Sequence, residues 1–113
     1  MRTINLLVIP FLFGCYVPVA LAADASISIS SPLDGAKISR KSKIEVSYEV
    51  VPGQNGDHVH LYVDDKEAVV LRKLKGNHTI ESLEPGKHAL CIKIVNKGHA
   101  PIGVQACTSI NIV

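Results

Sequence analysis

The sequence contains no tryptophan, and its single methionine is Met1. Antibody-type immunoglobulin domains pack a buried tryptophan against a disulfide between their two sheets, so the missing tryptophan argues against that class. A blue-copper electron-transfer site needs two histidines and a cysteine on closely spaced loop residues, with an axial ligand that is usually methionine. Neither requirement is met here, and we therefore predict no blue-copper site.

A strong charge of one sign is also missing. Lysine and arginine number 12 against 10 aspartates and glutamates, which gives a formal net charge of +2. Proteins that hold nucleic acid or anionic membranes by bulk charge carry a much larger basic excess. We therefore predict no nucleic-acid partner.

No apolar run is long enough to span a bilayer, which takes about 20 residues. The apolar segment at residues 6–13 is interrupted by Pro10. It follows a short basic start and precedes Ala20-Leu21-Ala22, a small-x-small pattern typical of a signal-peptidase site. We predict a signal peptide at residues 1–22, a domain at 23–113, and a periplasmic or secreted protein without a membrane span.

A second processing pattern overlaps the first. Leu12-Phe13-Gly14-Cys15 resembles a lipoprotein box, which would anchor the protein through a lipid on Cys15. Phenylalanine is unusual at its position in that box, and we favour the signal-peptidase site over lipid anchoring.

Two cysteines, Cys91 and Cys107, lie outside the leader. An even number in an oxidising compartment favours a disulfide. Each sits at the outward parity of a predicted strand, and antiparallel pairing of the two strands would place both sulfurs on one face. We predict a cross-strand disulfide, which contributes about 3 kcal/mol by closing a loop of this length.

The chain has no sustained helical periodicity. Alternation of apolar and polar residues is clearest at 44–50, and turn signals recur at the spacing of a β-sandwich. We predict an all-β, immunoglobulin-like sandwich of about seven antiparallel strands, with a Greek-key barrel as the alternative. The predicted strands are 27–29 with an edge continuation at 36–39, 44–50, 58–64, 66–71, 78–83, 88–95 and 104–113. The turns include 52–57, 75–77 and 96–103.

Five histidines remain to be explained. His58 and His60 are one residue apart on a strand, which puts both imidazoles on one face about 6.5–7 Å apart. The predicted topology brings His78 and His99 to the same end of the sandwich and leaves His88 at the far end. Imidazole nitrogens bind copper and zinc. One hypothesis is therefore a copper or zinc site of His58, His60 and His99, with His78 as a further candidate ligand and Asp57 as a nearby carboxylate. The alternative is that these histidines are exposed polar residues.

Catalysis has no support in the sequence. No serine or cysteine has the context of an activated nucleophile, and no pair of carboxylates is evidently poised. We predict no enzyme activity and no catalytic residues. The favoured function is a non-catalytic interaction module for a protein or glycan partner, and the alternative is a periplasmic copper- or zinc-binding protein.

Three segments carry a resemblance to known proteins: a histidine-rich strand with a short acidic end at 57–64, Leu-x-Pro-Gly-x-His at 83–88, and a histidine-containing loop at 98–103. With these, the chain resembles a group of small secreted bacterial domains of unknown function with an immunoglobulin-like outline. The resemblance implies an exported, β-rich domain, points to His58, His60 and His99, and implies no established activity. This chain departs from the group in carrying Cys91 and Cys107 and in having a shorter segment between the first two motifs.

Overall fold

The structure is a computed structural model that describes residues 24–113. The predicted signal peptide and Cys15 lie outside the described residues. Within them the chain contains no α-helix and forms eight β-strands. They are β1 (Ser26–Ser31), β2 (Ala36–Ile38), β3 (Ile44–Val51), β4 (His58–Val63), β5 (Lys66–Leu71), β6 (Lys75–Ile80), β7 (Gly86–Val95) and β8 (Pro101–Ile112).

The strands form two sheets. One has three strands in the order β1-β3-β6, and the other has five in the order β2-β8-β7-β4-β5. All neighbouring strands are antiparallel except β2 and β8, which pair in parallel. The predicted all-β sandwich is confirmed, and the short β2 at the sheet edge accounts for the eighth strand.

The core lies between the sheets because alternate residues of each strand are apolar and point to the same face. Val46 of β3 in one sheet and Leu61 and Ile92 of β4 and β7 in the other are fully buried. The remaining fully or nearly fully buried apolar residues of this cluster are Ile44, Tyr48, Val50, Val59, Leu71, Leu90, Ile94, Ile110 and Ile112. Residues of opposite parity on β4, β7 and β8 lie on the outer face of the five-stranded sheet.

The predicted disulfide is present on that outer face. Cys91 of β7 and Cys107 of β8 are direct register partners and are bonded. A cross-strand bond of this kind fits an extracellular or periplasmic protein, since such compartments are oxidising. No helix in residues 24–113 is long and apolar enough to cross a membrane.

Three predicted strand starts are wrong, and β6 ends at Ile80 rather than at residue 83. Residues 75–77 were predicted to be a turn, but β6 already begins at Lys75. The true connection is 72–74, which is fastened to β3: Tyr48 Oη donates to Lys73 O at 2.8 Å, and Val50 N donates to Leu74 O at 2.7 Å. Glycine and asparagine are tolerated in β6 because it is an edge strand that pairs on one side only. Similarly, β7 begins at Gly86 rather than at residue 88, and β8 at Pro101 rather than at residue 104.

Candidate metal centre

Three histidine side chains meet on the outer face of the five-stranded sheet. His58 Nε2 lies 3.1 Å from His60 Nε2 and 3.2 Å from His99 Nδ1. His60 Nε2 lies 3.0 Å from His99 Nδ1. The three nitrogens therefore form a nearly equilateral triangle, and we call His58, His60 and His99 the histidine cluster.

The strand β4 supplies two of the three imidazoles. Its residues alternate, so that Val59 and Leu61 face the core while His58 and His60 face outward, as predicted. The outward histidines are nevertheless 1% and 3% exposed. β4 has strands on both sides, β7 and β5, and the turn that carries His99 reaches across to these two histidines. The sequence identified the face but not the burial.

The turn between β7 and β8 holds the third imidazole. Asn96 Oδ1 accepts hydrogen bonds from the backbone N–H groups of Gly98, at 2.9 Å, and Ala100, at 3.0 Å. Two backbone bonds, His99 N to Asn96 O and Asn96 N to Ala100 O, close the same turn at 2.9 Å each. His99 has a φ of +66°, a conformation that non-glycine residues rarely adopt. The turn therefore fixes the backbone of His99 in the conformation that aims its ring at β4.

A carboxylate lies against the outer ring nitrogen of each of the two buried histidines. His58 Nδ1 lies 2.9 Å from Asp57 Oδ2, and His60 Nδ1 lies 3.0 Å from Glu67 Oε1. The Asp57 carboxylate accepts a hydrogen bond from His58 Nδ1, which leaves His58 Nε2 facing the cluster. The Glu67 carboxylate acts on His60 as a nearby negative charge beside Nδ1. Outer carboxylates orient metal-binding histidines in this way.

The loop before β4 places Asp57 beside the cluster. Asp57 N donates to Val95 O at 2.9 Å, which fixes the end of the loop against β7. The loop packs so closely that a Cβ on Gly56 would lie 2.2 Å from Pro52 O and 2.6 Å from Ile94 Cγ2. Only glycine fits at position 56, which explains the presence of this glycine in the turn between β3 and β4.

Glu67 was not identified from the sequence. It reaches His60 because the two-residue turn at Asp64 and Asp65, both with positive φ, closes a tight hairpin between β4 and β5. The pairing passes from Leu61–Val69 to Tyr62–Glu67, which leaves Ala68 as an extra residue on β5. The Asp64-Asp65 pair indicates the hairpin in the sequence. The bulge at Ala68, however, moves Glu67 to the outer face of the sheet, and no pattern in the sequence marks this bulge.

The pKa of His60 favours the neutral ring. Burial, the largest cause, lowers this pKa below the ordinary histidine value. The Glu67 carboxylate opposes burial, while nearby positive charges, including Arg72, act in the same direction as burial. The lowered pKa therefore favours a neutral His60 ring at neutral pH.

The other two histidines lie elsewhere. His78, the fourth ligand candidate, is in the middle of β6 in the three-stranded sheet, opposite Val46, and is not part of the cluster. A strand that began at residue 78, as predicted, would have placed His78 close to the loops at 52–57 and 96–103. His88 is at the far end of β4 and β7, as predicted, where Nδ1 bonds to Asp64 Oδ2 and Nε2 donates to Glu84 O at 2.6 Å. Both of its nitrogens are occupied, and it cannot act as a ligand in this arrangement.

The dimensions of the triangle suit a metal ion. At the metal–nitrogen distance of 2.0–2.1 Å typical of histidine sites, an ion bonded to all three nitrogens would sit about 1 Å above their plane, with N–metal–N angles of about 98°. That value lies between the octahedral and tetrahedral angles and leaves coordination positions open on the side away from the triangle. His99 is exposed, so the cluster adjoins the surface.

Comparison with solved structures supports the fold. The fibronectin(III)-like modules of Clostridium thermocellum CbhA share 18% identity, with a TM-score of 0.63 over 76% of this chain and 93% of the module. The CARDB domain of the PF1109 protein from Pyrococcus furiosus, solved in complex with di-metal ions, shares 12% identity, with a TM-score of 0.57 over 81% of this chain and 90% of that one. No family model and no curated protein matches the sequence. At these identities the likeness shows a small immunoglobulin-like fold and nothing about ligands.

Proposed function

We propose that this domain is an exported metal-binding module that holds one divalent copper or zinc ion on His58, His60 and His99. The observation that carries the proposal is the triangle of ring nitrogens, 3.0–3.2 Å on each side. Export is supported by the disulfide and by the leader pattern of residues 1–22.

A cation relieves a conflict inside the cluster. The hydrogen bond to Asp57 places a hydrogen on His58 Nδ1, and the Glu67 carboxylate beside His60 Nδ1 favours the same tautomer, so that both Nε2 atoms present lone pairs to each other. Two acceptors 3.1 Å apart repel each other unless a positive charge lies between them. His99 can donate one hydrogen into the triangle, which satisfies one neighbour and leaves the other unpaired. A metal ion accepts all three lone pairs at once.

The donor set narrows the choice of metal. Three neutral imidazoles suit zinc and copper, and the general affinity order places Cu(II) above Zn(II). Trigonal planar Cu(I) would require nitrogens about 3.4–3.6 Å apart at the same bond length, which is wider than the observed triangle. The geometry therefore favours a divalent ion with further ligands over bare Cu(I).

Binding of a protein or glycan partner, which the sequence also predicted, stays a prediction. The exposed large apolar residues among those described belong to different segments of the chain: Leu33, Val51, Val70 and Val113. The absence of enzyme activity likewise stays a prediction.

Calorimetric titration of the oxidised, exported protein with Cu(II) and Zn(II) tests the proposal. We expect one-to-one binding with a sub-micromolar Kd, lost in the His58→Ala/His60→Ala variant. His78→Ala is the matched control, because it removes a histidine outside the cluster and should leave binding intact. Weak binding that the double variant leaves unchanged would refute the metal site, and partner binding that survives in this variant would support the interaction module.

A further inference from the structure

The strand β8 bulges beside the histidine cluster. Between the register pairs Lys93–Gln105 and Val95–Pro101, β7 advances by two residues while β8 advances by four. The extra residues include Gly103, whose φ is +92°. The bulge leaves an open cavity of about 300 Å³. It is lined by Lys93, Pro101, Gly103, Val104 and Gln105.

This cavity and the cluster share one face of the sheet. Lys93 is the direct register partner of His60, so the two outward side chains start about 5 Å apart. Pro101, on the opposite wall, is two residues after His99. A ligand on the solvent side of the metal would therefore have the cavity next to it.

The charges around a loaded site favour an anion. The carboxylates of Asp57 and Glu67 offset the two charges of a divalent ion. Lys93, the register partner of His60, then leaves the surroundings positive. Lys93 Nζ lies 4.3 Å from the centre of the Tyr62 ring. No salt bridge within residues 24–113 involves this ammonium group, so no carboxylate of the described chain neutralises its charge.

We infer that the open coordination position takes a small dianionic ligand, with one carboxylate on the metal and the other in the cavity at Lys93 and Gln105. The lysine supplies a charge-assisted hydrogen bond, and the amide of Gln105 supplies a second donor. The cavity measures about 300 Å³ and its lining residues include no aromatic side chain, which suits a compact dicarboxylate better than a sugar ring. This inference rests on the proposed metal site.

Anion titrations of the Cu(II)-loaded protein test it, followed by the visible and paramagnetic-resonance spectra of copper. Succinate carries two carboxylates and acetate carries one. We expect succinate to bind about five-fold more tightly than acetate, the effect of one partly screened charge-assisted contact. Lys93→Gln should bring the ratio close to one. The matched control is Lys97→Gln, which removes an exposed lysine from the same end of the sheet and should retain the preference.

The outcomes separate the two proposals. If copper does not bind, the metal site itself is wrong. If copper binds but succinate has no advantage over acetate, or if Lys93→Gln keeps that advantage, the metal site stands and the anion subsite is refuted. Thermal unfolding of Lys93→Gln, compared with that of the unmodified protein, checks that the variant is folded.

Discussion

The two ends of β4 place histidines beside carboxylates in opposite ways. At one end, His58 and His60 each use one nitrogen on a carboxylate and turn the other toward a second histidine. At the far end, His88 uses both nitrogens on acceptors, Asp64 and the Glu84 carbonyl. The first arrangement leaves lone pairs that a cation can bind, whereas the second completes the hydrogen bonds of an imidazolium. What each histidine contacts with the nitrogen that does not face a carboxylate therefore distinguishes a candidate metal ligand from a residue such as His88, which holds Asp64 and the Glu84 carbonyl together as a structural clamp.

Added metal should stabilise the fold through one end only. Free Cu(II) at 100 times its Kd should raise the free energy of unfolding by about 2.7 kcal/mol, because the ion binds the folded state. His60→Ala should lose this increment, since it removes a ligand. His88→Gln should retain the increment even though its metal-free stability is lower. Urea denaturation of the three proteins with and without copper measures each value.

The contrast would fail if His88→Gln lost the increment as completely as His60→Ala. That result would mean that copper binds at the far end of β4 or that the two ends unfold as one metal-dependent unit.

Removing an outer carboxylate should matter at the cluster alone. Glu67→Ala removes the carboxylate that lies 3.0 Å from His60 Nδ1, so the ring can change tautomer and orientation more easily. We expect a 10- to 100-fold weaker Kd for metal, roughly the usual effect of losing such a partner. Asp64→Asn, the equivalent change beside His88, should leave metal affinity unchanged. Competition with a chelator of known affinity measures both, and equal losses in the two variants would contradict the assignment.

The turn that carries His99 should act by positioning. Asn96→Ala removes the acceptor of two backbone N–H groups, and we expect metal affinity to fall by about 10-fold as the turn loosens. Asn96→Asp retains an acceptor oxygen and should restore most of the affinity. Hydrogen exchange of the Gly98 and Ala100 amides in the metal-free protein provides an independent measure. Unchanged exchange in Asn96→Ala would show that the side chain does not hold the turn.

Local patterns in the sequence predicted the sandwich, the disulfide and the pair of outward histidines on β4, because alternation along a strand determines which residues share a face. The same reasoning placed His99 beside the pair through the predicted loop topology. It misplaced β6 because glycine and asparagine are common in turns but also fit an edge strand. It missed Glu67 and the cavity at Lys93 because both depend on bulges, where one strand gains residues over its neighbour. Such register shifts are set by packing across the sheet and leave no local signature.

The smallest expected effect belongs to the far end, as a dependence of stability on pH. Hydrogen bonds to Asp64 and to the Glu84 carbonyl raise the pKa of His88. Burial acts to raise the pKa of Asp64, but the hydrogen bonds from His88 and Ala89 outweigh it, and the pKa of Asp64 is lowered. The raised pKa stabilises the fold below the ordinary histidine value near 6.5, and this contribution is lost as pH rises through the folded-state value. Because the Asp64 side chain is 46% exposed, we expect less than about 1 kcal/mol. Urea denaturation of the metal-free protein from about pH 5 to about pH 8, the range in which histidine changes charge, measures the free energy of unfolding. Subtracting the same series for His88→Gln isolates the contribution of His88. The clamp formed by His88 and Asp64 predicts that the unmodified protein exceeds His88→Gln in stability most at low pH, where His88 is charged. If this difference in the free energy of unfolding grew with rising pH instead, the clamp would be contradicted.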